Sequence, residues 1–357
     1  MAIYFMLFPI IGIIYLLTNN QIFSSRRMFV FLSFAFLGTF AASRASTVGT
    51  DTMTYETIFA NTGDVFSKKS PAFSVFSTIV KLISTDPHAI TAANALLIAF
   101  LFGLFIYRLP ANPLYTTFFF ISLNFYLPSF NIARQYIALG LVLNGFLYLM
   151  DKKYVRYLML TFIGVGFHAT ALLGLIYLGV SWIKWNKFWI ALLTISAVIC
   201  SLSYDEFSNT IVDLIPGFDI YSDATNVSSL NQSSQGSGLI IFFNIFLLVV
   251  LIAYIYFKFA TKSPFTRLQR NVATLYFIGS GVSVLLGNVI LLQRGLMYFT
   301  IFGIYIFADL PVVTENLFTN RKVGRITVFA LLFGLTLIQF TYQLARNNGD
   351  IIPYLLN

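Results

Sequence analysis

The chain has 357 residues, 58% hydrophobic and only 10% charged, with 40 Phe, 20 Tyr, a net charge of +9 and a mean hydropathy of +0.82. A water-soluble domain carries about 25% charged residues, so this composition excludes a soluble fold and makes the bilayer the solvent. One cysteine, Cys200, excludes an internal disulfide; the sequence has no GxxxxGK loop, no GxGxxG after a strand and no zinc spacing, so neither ATP hydrolysis nor a metal is expected, and in a membrane protein the distribution of the +9 charge matters more than its sum, so no nucleic-acid partner is expected.

Apolar runs follow one another from end to end: Ala2–Leu17, Met28–Ala42, Ala89–Tyr107, Leu114–Leu127, Ile137–Met150, Tyr157–Gly166, Ala169–Trp182, Phe188–Leu202, Leu239–Phe257, Val272–Leu292, Leu296–Leu310 and Ile326–Leu344. The first run lacks a basic start and a small-residue cleavage site, so it reads as a retained helix and not a signal peptide. The predicted fold is all-α: a single integral membrane domain, 1–357, built as a polytopic helix bundle of about 12 transmembrane helices.

The basic residues alternate between connections. Arg26 and Arg27; Arg108; Lys152, Lys153 and Arg156; Lys184 and Lys187; Lys258, Lys262, Arg267 and Arg270; and Arg321, Lys322 and Arg325 make up 15 of the 22 Lys and Arg. By the positive-inside rule these connections are cytoplasmic, and both termini are expected on the outer side. Two outer connections are long, about 43–88 and 204–238. The first includes Pro71–Ser84, whose helical spacing suits a helix lying on the membrane surface. The second carries Asp205, Glu206, Asp213, Asp219 and Asp223 without any Lys or Arg, then NVSSLNQSSQGSG, a flexible segment or a substrate lid.

Two stretches are too short for ordinary crossings. Between Arg156 and Lys184 the expected form is a hairpin of short helices with its apex near His168, because arms of this length, at about 1.5 Å per residue, fall short of the far surface. The arm Leu114–Leu127 before Arg134 is short as well. Both apices are therefore expected below the outer surface, on the floor of an outward-open cavity.

Polar residues gather at the outer ends of these runs. Arg44, Asp51 and Tyr55 lie in RASTVGTDTMTYE; Asn131, Arg134 and Gln135 in SFNIARQYIALG; His168 in GVGFHATALLG; and Arg294 and Tyr298 in LLQRGLMYF, four apart on one helical face. Each has an ordinary alternative. Asp51 and Asn131 suit helix caps, His168 an interhelical hydrogen bond, and Arg294 a snorkelling headgroup contact. Three outer arginines from three separate runs are harder to explain that way. Arginine near a bilayer is costly and marks function by default, and guanidiniums gathered together repel unless an anion sits between them. A diphosphate suits their planar, bidentate geometry.

The ordered set R-x4-GTDT-x2-Y, N-x2-RQ, FHATAL, R-x3-Y and the terminal IPY resembles the EpsG family of bacterial membrane proteins, which are Wzy-type polysaccharide polymerases. Gly295 follows the fourth-motif arginine where the family pattern leads one to expect phenylalanine. The resemblance implies a glycosyltransferase of the bacterial cytoplasmic membrane that polymerises undecaprenyl-diphosphate-linked oligosaccharides on the outer face. It needs no cofactor and no metal, and works alone or beside a chain-length regulator and a flippase. Arg44, Arg134 and Arg294 would stabilise the leaving diphosphate. Asp51, or second His168, would be the general base. Tyr55, Gln135 and Tyr298 would hydrogen-bond sugar or phosphate. A flippase of lipid-linked glycan and a membrane O-acyltransferase acting on the polymer are the competing readings.

Overall fold

A computed structural model of the chain describes residues 1–19, 25–61, 70–182, 238–286, 290–347 and 349–357. The elements are α1 (Ala2–Phe5), α2 (Leu7–Thr18), α3 (Arg26–Ala42), α4 (Thr52–Asn61), α5 (Pro71–Ile83), α6 (His88–Arg108), α7 (Pro113–Ser122), a 3-10 turn (Leu127–Phe130), α8 (Ala133–Met150), α9 (Tyr154–Phe167), a second 3-10 segment (Ala169–Leu175) and α10 (Ile176–Val180). After these come α11 (Gly238–Ala260), α12 (Arg267–Leu286), α13 (Ile290–Thr300), α14 (Gly303–Thr314), a 3-10 turn (Glu315–Leu317) and α15 (Arg321–Arg346). Among the described residues there is no β-strand, and the one extended pairing is an antiparallel bridge between Arg44 and Leu356.

Four of the described helices are long and apolar enough to cross a membrane: His88–Arg108, Phe242–Ala260, Gln293–Leu317 and Arg321–Arg346. Among the described residues these four spans do not confirm the count of about twelve, and several apolar runs fold there as helices too short to span about 30 Å of hydrocarbon. Ala2–Thr18, Pro71–Ile83, Tyr154–Phe167 and Ala169–Val180 are of that shorter kind. The run Leu114–Leu127 stops at Ser122, and Asn124 then turns through the left-handed region at φ 62°. The run Phe188–Leu202, Cys200 within it, and the connection 204–237 lie outside the described residues.

The chain divides into two compact units, Met1–Ile176 with Phe307–Asn357, and Tyr177–Ile306. In the first, α8 is the central helix: from Ala133 to Leu149 it is buried on nearly every face, as an all-round apolar helix must be. Small residues let its neighbours approach. A Cβ on Gly140 would sit 2.8 Å from Leu101 of α6, and one on Gly174 would sit 2.7 Å from Val142. α3 and α6 meet the same way, with Gly38 against Ala99 and Gly103 against Phe34. Without a hydrophobic drive between helices in lipid, such close backbone approach supplies the packing energy. An aromatic seam joins α2, α7 and α15, with Tyr115 stacked on Phe329 at 4.0 Å and Phe8 set edge-on against Phe118, Phe333 and Phe340.

α9 packs along the second 3-10 segment, and the Tyr157 hydroxyl donates to the Gly174 carbonyl. This is the hairpin expected between Arg156 and Lys184, with His168 in extended backbone at its apex (φ −157°, ψ 130°). In the second unit α12 lies between α11 and α13. Gly279 admits Phe299, Gly303 admits Tyr276, and the Tyr177 hydroxyl donates to the Tyr298 carbonyl.

Candidate functional site

The first unit gathers three of the sequence motifs around residues 43–52. α3 ends at Ala42, and the chain turns through RASTVGT before α4 starts at Thr52. Gly49 makes that turn possible: its φ is +98°, and a Cβ there would lie 2.5 Å from the Asn131 Oδ1. Asn131 is held from the other side by its Nδ2, which donates to the Gly349 carbonyl at 3.0 Å. One asparagine thus sits between a glycine of GTDT and a glycine of the C-terminal tail.

That tail closes the arrangement. Asn347 caps α15 in the left-handed conformation (φ 47°), and its side-chain Oδ1 accepts from the N–H groups of Ile351 and Ile352, each at 3.0 Å. The following residues run back along the 43–50 loop. Ala45 N–H donates to the Leu355 carbonyl (2.8 Å), Asn357 N–H to the Ser43 carbonyl (3.0 Å), and Gly49 N–H to the Asp350 carbonyl (2.9 Å). Tyr354 stacks on Phe40 at 4.4 Å, and its hydroxyl donates to the Phe40 carbonyl.

Arg44 is the strut of this layer. It is only 3% exposed. Its Nη1 donates to the Ala41 carbonyl at the end of α3, its Nη2 to the Phe130 carbonyl (3.0 Å), and its Nε to the Thr52 Oγ1 (3.4 Å), with the guanidinium 4.9 Å over the Phe130 ring. Burial pulls its pKa down to about 10, opposed by Tyr126, Tyr354, Glu56 and Tyr4, which leaves it cationic at neutral pH. A cation at a helix C-terminus also meets the negative end of the helix dipole.

Asp51 occupies the position just before α4. Its backbone carbonyl accepts from Tyr55 N–H at 3.0 Å, as at an N-cap, while its half-exposed carboxylate accepts from the Thr50 hydroxyl at 3.1 Å. A carboxylate has about four lone-pair sites, so capacity to accept remains. Tyr55, one turn on, faces α5: its ring is 5.8 Å from Phe73.

Arg134 opens α8 beside them. Its guanidinium lies 5.8 Å from the centre of the Tyr55 ring and 5.6 Å from that of Phe73, and Nη1 donates to the Ser70 hydroxyl at 3.2 Å. Its Nε is buried and has no hydrogen-bond partner. Among the described residues no carboxylate pairs with it. A buried N–H left unpaired is costly, about 1–3 kcal/mol, and calls for an acceptor. Gln135, by contrast, is 3% exposed and turned into the core of the unit.

From Phe73 a chain of rings continues through Phe76 (6.2 Å) to Phe167 (6.1 Å), the residue before His168. The His168 Nδ1 lies 2.8 Å from Thr170 Oγ1 and accepts the Thr170 N–H at 3.3 Å. In the neutral ring the proton then sits on Nε2, which makes that nitrogen a donor.

Arg294 and Tyr298 belong to the second unit, on α13. Arg294 is exposed and Tyr298 is fully buried. Among the described residues no three His, Cys, Asp or Glu side chains are grouped to hold a metal ion.

Sequence reasoning missed a pair formed by the buried Glu56 and the half-buried His88. His88 Nδ1 lies 3.0 Å from Glu56 Oε1, and His88 Nε2 lies 2.8 Å from the Ala42 carbonyl. The two are 32 residues apart, so no spacing rule links them. The available signal was that His88 is one of only two histidines in the chain.

No curated protein and no solved structure matches the chain. A family model does, over residues 27–356, from just inside α3 to the bridge residue Leu356. The match takes in the GTDT loop, Arg134, the His168 apex, Arg294 and the tail: the chain belongs to the EpsG family, whose members are Wzy-like polysaccharide polymerases of the membrane.

Proposed function

We propose that this protein is a glycosyltransferase that lengthens a polysaccharide from lipid-diphosphate-linked repeat units at the outer face of a bacterial cytoplasmic membrane, with both termini on that side. The observation that carries the reading is Arg134: a half-buried guanidinium, within 6 Å of the centres of two aromatic rings, with a buried Nε that no described residue satisfies. A diphosphate oxygen supplies the acceptor it lacks. The bond to be broken joins a sugar to a diphosphate, so the energy is already in the substrate and the charge that develops on the leaving oxygen needs cations. Arg134 meets that charge without a metal, and Arg294 is proposed as a second cation on chemical grounds alone.

Asp51 is the proposed general base. Its carboxylate has open lone pairs, and it lies one turn from Tyr55, whose ring touches the Arg134 guanidinium. It would accept the proton of the acceptor sugar hydroxyl as that oxygen attacks the anomeric carbon. His168 suits this role less, because its Nδ1 lone pair is engaged with Thr170. Arg44 acts by shaping the loop that presents Asp51, since three of its donors are spent on the protein. Tyr55 is proposed on the substrate side, and the buried Gln135 and Tyr298 through packing behind Arg134 and Arg294.

Arg134→Lys tests this. The charge stays but the fork is lost, so turnover of lipid-linked repeat units is expected to fall by about 10²-fold, the scale of one lost transition-state donor. Cells with this variant should display single repeat units outside and no polymer. Full-length polymer at equal protein level overturns the assignment. A flippase would instead leave no repeat units outside, and an acyltransferase would leave polymer of normal length with altered modification.

A further inference from the structure

The last turn of α3 offers two consecutive carbonyls, and two side chains take them. Arg44 Nη1 binds the Ala41 carbonyl and His88 Nε2 the Ala42 carbonyl. The same two side chains reach α4 one turn apart: Arg44 Nε to Thr52 Oγ1, and His88 Nδ1 to Glu56 Oε1. Thr52 and Glu56 are four apart on the buried face of α4. Glu56, 6% exposed, also accepts from the Thr91 hydroxyl of α6 at 2.7 Å.

The protons can be counted. The Ala42 carbonyl can only accept, so His88 Nε2 carries a proton. A carboxylate and a bare Nδ1 lone pair cannot face each other at 3.0 Å, so a second proton lies between Nδ1 and Glu56. The pair is therefore neutral as a whole, either imidazolium with carboxylate or imidazole with carboxylic acid, and both partners are satisfied in either form. Burying the acid thus costs little, whereas removing one partner strands the other.

We propose that Glu56 and His88 are positioning residues of the polymerase: they fix the rotation of α4 against the end of α3 and the start of α6. Tyr55 is then presented to Arg134, and Asp51, four residues before Tyr55, is set at the start of the same helix. This rests on the assignment of Asp51 and Arg134 given above. Misplacement of a reacting group by about 1 Å can cost as much as 10²-fold in rate, so a pair that touches no substrate can still govern turnover.

The test uses full-length protein in lipid vesicles with lipid-linked repeat units, and compares Glu56→Ala, His88→Ala, Glu56→Gln, Thr91→Val and Asp51→Asn at equal folded amount, checked by thermal melting. Glu56→Gln keeps the geometry, since an amide nitrogen in place of Oε1, the atom that meets both His88 and Thr91, donates one N–H to Nδ1 and the other to the Thr91 Oγ1, whose hydroxyl turns from donor to acceptor; turnover within about threefold of wild type is expected. Glu56→Ala and His88→Ala are expected to lower kcat at least about tenfold with little change in KM. In an Asp51→Asn background His88→Ala should cause no further fall, because both act on the same step. Wild-type kcat in both alanine variants, or a Glu56→Gln protein as slow as Glu56→Ala, overturns the proposal. If the alanine variants do not fold, Thr91→Val decides: a fall in kcat of about threefold supports the proposal and an unchanged kcat overturns it. Asp51→Asn at full activity overturns the base assignment instead, a separate result.

Discussion

Arg44 shows how far a side chain's meaning depends on where its donors go. By charge it belongs with Arg134 as a diphosphate ligand. By geometry it ties the end of α3, the 127–130 turn and the start of α4 together. Lysine presents its donors from one nitrogen and cannot reach all three acceptors. Arg44→Lys is expected to destabilise the protein by about 2–4 kcal/mol, the loss of one or two charge-assisted hydrogen bonds, seen as a lower melting temperature in detergent and a parallel loss of polymer. A variant with wild-type melting would show that the three bonds carry no stability. Arg134 differs, since its Nη1 donates to Ser70 and its buried Nε has no partner among the described residues. The sequence assigned both arginines the same role because it shows charge and not the carbonyls around it.

At the scale of elements, the tail is the feature whose importance was least visible. IPY stands in the sequence as the last of the ordered motifs, with no role attached to it. In the fold, residues 349–357 run along 43–50 and set Tyr354 on Phe40. Ending the chain at Asn347 is expected to leave the 43–51 loop unpinned. Limited proteolysis should then cut within that loop in the truncated protein and not in the full chain, and polymer should be lost; an uncut loop would mean that Arg44 and Asn131 hold it alone. α5 has a second face. Its inner side gives Phe73 to Arg134, while Leu82 and Ile83 are each 83% exposed and Val75 and Ile79 lie along the same outer stripe. Such one-sided apolarity suits a helix lying in the membrane interface, as its spacing in the sequence suggests.

For the whole molecule, each unit carries one of the two arginines proposed to act in polymerisation, Arg134 in the first and Arg294 in the second. A double-mutant cycle checks this without reference to shape. If Arg134→Ala and Arg294→Ala both weaken the grip on one leaving diphosphate, their effects on kcat/KM should be coupled by at least about 1 kcal/mol. Fully additive losses would mean that the two act on different steps or different substrates.

The sequence by itself determined that this is an all-helical membrane protein of the polymerase family, because composition and run length answer to the bilayer and motif order survives without any geometry. It also located the hairpin around His168, from a stretch too long for one crossing and too short for two. The sequence could not show that Gly49, Asn131 and Gly349 meet, that His88 finds Glu56, or that Arg44 spends its donors inward while Arg134 keeps an unpaired one. Those facts depend on which carbonyls and side chains fill the few ångströms around each group. Residues far apart in the chain supply those neighbours, so only the tertiary fold decides them.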